Sequence, residues 1–110
     1  MLDLINQERS KAEVSAPLKI NAQLQKMAQV KSDEMVYGSP FDMMKTFGIN
    51  YTTAGENIAG NSSVEGAHKA LMNSLGHKEN ILKSSFNYIG IGITPSPAYG
   101  KVFAQDFIGR

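Results

Sequence analysis

The chain has 110 residues, enough for one domain with a single core and leaving little room for a second. It is 42% hydrophobic and 19% charged with a net charge of +1, which describes a folded globular chain and excludes the electrostatics of a nucleic-acid binder. With no cysteine there is no disulfide, thiolate metal site or cysteine nucleophile, and no apolar run approaches the ~20 residues that would span a bilayer.

From the amino terminus, Leu2, Ile5 and Arg9 fall on one face of a short amphipathic helix over Leu2 to Lys11, with Asn6, Gln7 and Glu8 on the wet side. Pro17 closes a loop, and Asn21 caps a second helix whose stripe is Leu24, Met27, Ala28, Lys31 and Met35. Lys31 on that stripe is expected to lay its stem on the core and turn its ammonium to water. Ser39-Pro40-Phe41-Asp42 starts a third helix that Gly48 ends. After a brief extended stretch at Glu56 to Ile58, Ser62-Ser63-Val64-Glu65 opens a helix carrying Val64, Ala67, His68, Leu71 and Leu75. The last third changes period: Ile89, Ile91 and Ile93 alternate with Gly90 and Gly92, so one strand face is apolar and the other is bare enough for a close backbone approach. Pro95 to Gly100 is turn material, and Val102 to Ile108 returns as a second strand. Helices first, helices between and a small sheet late predict an α+β domain.

Two segments carry the candidate chemistry. Gly55-Glu56-Asn57-Ile58 is followed one helix later by Gly76-His77-Lys78-Glu79-Asn80-Ile81-Leu82. A carboxylate beside an imidazole can fix the imidazole tautomer, share a divalent metal, or form an acid–base pair near neutrality. Alternatively the two hydrogen-bond across a junction and hold the sheet to its helix. His68 reads as a core-edge histidine, with a substitute metal ligand beside His77 as the less favoured reading. Met27, Met35, Met43, Met44 and Met72 suit either core or a lipid groove. No serine sits in a Gly-x-Ser-x-Gly elbow.

Those two segments, with Leu4 to Arg9, Ser39 to Met44 and Val102 to Phe107, resemble the CAP superfamily (SCP or PR-1-like) in its bacterial extracellular form, across residues 1–110 as one domain. The resemblance implies an α–β–α sandwich with a three-stranded antiparallel sheet between helical layers, secretion after removal of a leader, and a cleft containing Glu56, His77, Asn57 and Gln105. Composition alone leaves the compartment open. The family's first cleft His, in a Phe-Ser-His-like loop, has no match: Met35-Val36 runs into Tyr37-Gly38, about a dozen residues short. Leu71 stands where the family often has Trp, Leu75 where Pro precedes Gly-His, and Ser74 where many members have a second carboxylate. His77 and Glu56 remain as ligands for a divalent metal such as zinc, an incomplete set beside the three protein ligands of a catalytic zinc. The implied function is non-enzymatic binding of a cell-wall, peptide or lipid ligand. A scaffold part of a secreted or spore-associated assembly and a metal-assisted extracellular hydrolase are the alternatives. The short Val36-Tyr37-Gly38 connection further predicts a domain-swapped dimer exchanging Leu2 to Met35, with a tight turn in a monomer as the competing outcome.

Overall fold

A computed structural model describes residues 1–13, 16–34 and 40–110. In chain order it contains α1 (Leu2–Lys11), β1 (Lys19–Ile20), α2 (Ala22–Glu34), α3 (Pro40–Thr46), β2 (Thr53–Asn61), α4 (Val64–Met72), α5 (Leu75–Leu82), β3 (Tyr88–Ser96) and β4 (Gly100–Gly109). The expected α+β class holds. The sheet has four strands where three were expected, in the order β1-β3-β4-β2. The antiparallel β3-β4-β2 unit is the expected one, and β1 adds two residues in parallel to the start of β3. Two residues bounded by Pro17 and Asn21 are too short to leave a period in the sequence. The Val36–Tyr37 junction and the domain exchange argued from it lie outside the described residues.

Helices cover both faces of the sheet. One face buries Ile89, Ile91 and Phe107 against Ile5, Leu71, Ile81 and Phe86, with the rings of Phe86 and Phe107 stacked 5.4 Å apart. The other buries Ile108 against Leu24 and Met27 of α2 and Met44 of α3, so these methionines are core. Here the bare face of β3 meets its partner. A Cβ on Gly90 would lie 2.2 Å from the Leu24 carbonyl oxygen, and one on Gly92 would lie 2.1 Å from that of Ala28. Helix α2 therefore rests with its backbone on the strand, a separation that only glycine permits.

Local signals set the boundaries. Asn21 Oδ1 accepts from Leu24 N at 2.9 Å at the start of α2. Gly48, at φ +67°, ends α3 while Ile49 N donates to Met44 O. Ser63 Oγ accepts from Gly66 N at 3.0 Å and caps α4. Gly66 holds the third helical position, so the reciprocal Glu bond of a full capping box has no side chain to make it. α4 stops at Met72, and Leu75, expected on its buried stripe, opens α5 in solvent instead.

Arg9 joins the first helix to the far end of the chain. It is 1% exposed, and its guanidinium makes five hydrogen bonds to four backbone carbonyls, of Ala16, Ile81, Lys83 and Phe86. Ile81 and Lys83 belong to the carboxyl end of α5, where a cation is favoured by the helix dipole. Burial pulls the Arg9 pKa below its usual value, a cost that the carbonyl oxygens offset.

Candidate functional site

Strand alternation assigns the candidate residues to two different places. In the β2–β4 ladder Glu56 faces Asp106 and Asn57 faces Gln105. Neighbouring residues of a strand point to opposite sides of the sheet. Asn57 and Gln105 therefore lie on the side of α1, α4 and α5, and Glu56 and Asp106 on the side of α2.

On the first side Asn57 and Asn80 build a joint. Asn57, 1% exposed, donates through Nδ2 to His77 O at 3.0 Å and to Gln105 Oε1 at 3.1 Å. Asn80 donates through its own Nδ2 to Asn57 Oδ1 at 2.9 Å and Glu56 O at 3.2 Å. Gln105, fully buried, completes the group by donating to Met1 Sδ at 3.1 Å. The tripeptide Glu-Asn-Ile occurs at 56–58 and again at 79–81, and its two asparagines bond to each other. That repeat was the available signal for Asn80, which the candidate set omitted. The network fixes α5 to the edge strand β2 through side-chain amides, which offer donors and acceptors without a charge.

On the second side Glu56 Oε1 lies 3.4 Å from Lys31 Nζ, the two side chains being 13% and 3% exposed. The expectation that the Lys31 ammonium points to water is corrected: α2 sits so close to β3 that Lys31 has to reach across the sheet, and a carboxylate meets it there. Behind Glu56, Asp106 is fully buried. Its pKa is pushed up to about 9, chiefly by burial, then by the hydrogen bond and charge of Glu56, with Lys31 acting the other way. Asp106 was also missed, although an acid in the middle of the apolar run Val102 to Ile108 was a visible anomaly.

His77 uses Nδ1 to bond Ser74 Oγ at 2.8 Å at the start of α5. No hydrogen bond or ion pair joins the Glu56 and His77 side chains among the described residues: the carboxylate faces Lys31, and the imidazole bonds Ser74. The two segments still meet, but through Asn57, Asn80 and backbone carbonyls. This donor set does not fit a divalent metal shared by Glu56 and His77, because an ammonium already faces the carboxylate. His68 is 8% exposed, with Nε2 3.9 Å from Glu8 Oε1 of α1. Burial lowers its pKa, partly countered by Glu8. Among the described residues no group of three or more His, Asp or Glu is placed to hold a metal ion.

A family model described as the cysteine-rich secretory protein family, CAP, matches residues 2–107. The Bacillus subtilis protein YkwD is 46% identical over 122 aligned positions, covering 100% of this chain and 46% of that protein. That alignment runs over more positions than this chain has, so YkwD carries residues with no counterpart here. The B. subtilis membrane protein YlbC is 34% identical over 79 positions, covering 67% of this chain and 20% of that one. The chain spans less than half the length of either relative. Among solved structures, an extracellular protein containing a SCP domain from Bacillus anthracis superposes with a TM-score of 0.82 at 29% identity, covering 99% of this chain and 39% of that one. An outer surface protein of Borrelia burgdorferi gives 0.85 at 20% identity, over 99% and 89%, a likeness of fold alone.

Proposed function

This chain belongs to the cysteine-rich secretory protein (CAP) family, and on that premise we propose that it is a non-enzymatic recognition module of an extracellular protein, holding a cell-surface peptide at the corner between α4 and α5. The observation that carries this reading is Leu75, 74% exposed and placed between Ser74 and the half-buried His77. Single exposed leucines are ordinary on a surface. This one directly precedes a signature segment, near an imidazole able to donate or accept a hydrogen bond. An apolar side chain next to such a group suits a peptide, which offers both an apolar side chain and backbone N–H and C=O. A hydrolase needs an activated nucleophile, a base and an oxyanion donor in one geometry. Glu56 pairs with Lys31 and His77 with Ser74, which weighs against that chemistry. Extracellular placement is supported by the B. anthracis relative, itself an extracellular protein. No helix among the described residues is long and apolar enough to cross a membrane.

The test compares wild type with Leu75→Ser, His77→Gln and Glu56→Gln for binding to cell-wall stem peptides, intact sacculi and anionic lipid vesicles. Leu75→Ser and His77→Gln are expected to weaken peptide binding about tenfold, or ~1.4 kcal/mol, while Glu56→Gln leaves it unchanged. Retention by vesicles alone would favour a lipid ligand, and no binding in any arm a scaffold role. Peptide cleavage that depends on His77 would replace this reading with the hydrolase.

A further inference from the structure

We infer that Asp106 carries a proton and donates it to Glu56, so that Asp106, Glu56 and Lys31 form a buried, charge-balanced latch between β4, β2 and α2 that weakens when the proton is lost. The inference is independent of any ligand. It starts from buried oxygens: among the described residues no N–H or O–H donor reaches Glu56 Oε2 or either Asp106 carboxyl oxygen while both acids are ionised, although they sit on directly opposed cross-strand residues. Two ionised carboxylates are acceptors only and cannot satisfy one another. A single proton turns one Asp106 oxygen into a donor and pairs it with Glu56 Oε2. Charge leads to the same state. Lys31 brings one positive charge to Glu56 Oε1, so a second buried anion would stand uncompensated. The raised Asp106 pKa agrees with this.

Among the described residues few groups act on Asp106. β2 contributes Glu56, α2 contributes Lys31, and β3 places Gly90 opposite, with no side chain. An acid whose folded pKa lies above its unfolded value of about 3.9 binds more proton folded than unfolded between the two. Its contribution to stability is full below the unfolded value and is lost as pH rises through about 9.

Asp106→Asn is a permanent N–H donor of the same shape. Relative to this variant, the wild-type folding constant from chemical denaturation should fall close to tenfold per pH unit, roughly a hundredfold from pH 5.5 to 7.5. A ratio that stays constant across that range would overturn the inference. The second measurement needs no variant and reads the wild type directly. With carbon-13-labelled aspartate, the Asp106 carboxyl resonance should hold its protonated position at pH 7 and move only in the alkaline range. Titration below pH 5 would sink the latch even if Asp106→Asn failed to fold.

Discussion

Replacing Arg9 by Met keeps most of the aliphatic volume and removes every donor. Four carbonyls, those of Ala16, Ile81, Lys83 and Phe86, then lose a charged partner. The bonds from Arg9 to Ile81 O and Phe86 O are buried ones, and each buried acceptor left unpaired costs about 1–3 kcal/mol. Ala16 is exposed, so water can reach its carbonyl more readily. Removing the desolvation cost of the guanidinium itself returns part of the loss. Weighing these, Arg9→Met should cost about 4 kcal/mol, a large share of the ~5–15 kcal/mol typical of a domain. In melting temperature that is a drop of about 15–30 °C. Arg9→Lys retains the charge but concentrates three donors at one nitrogen, which cannot serve acceptors on three separate segments; about half the loss should remain. Guanidinium denaturation with circular dichroism measures both variants. A loss below ~1 kcal/mol for Arg9→Met, or full rescue by Lys, would show that the clamp contributes packing and not hydrogen bonds.

Three other outcomes are expected. Gly92→Ala puts a methyl 2.1 Å from the Ala28 carbonyl oxygen and should cost at least the ~3 kcal/mol upper end of overpacking; Gly76→Ala, with nothing within 4 Å among the described residues, should be neutral or slightly stabilising by thermal melt. Asn80→Ala strips the partner from buried Asn57 Oδ1 and from Glu56 O, so urea unfolding should register a loss of about 2–3 kcal/mol, with faster amide exchange in β2. His68 binds a proton less readily folded than unfolded, because burial lowers its pKa despite Glu8; wild-type stability relative to His68→Gln should therefore fall as pH drops just below 6.5, and a difference that stays constant across that range would refute it.

Periodicity and punctuation alone specified much of this domain. The shift from helical spacing to the Ile-Gly alternation at 89–93 gave the α+β class and foretold a close backbone approach, which α2 turned out to make. Asn21, Ser63 and Gly48 marked their helix ends because capping and positive φ are local events, decided within four residues. The family likeness was legible because its segments are contiguous. What stayed hidden was which side chain meets which. Lys31 and Glu56 are 25 positions apart and Glu56 and Asp106 are 50 apart, joined only by the β2–β4 register and the seat of α2 on bare glycines. A shift of one residue in that register would send every side chain of β2 to the other side of the sheet. The sequence could nominate Glu56 and His77 as ionisable neighbours of glycine, but tertiary pairing turned one toward a buried ammonium and left the other beside Ser74, because the side on which Glu56 falls is set by long-range strand register and the place of His77 by the seat of α5.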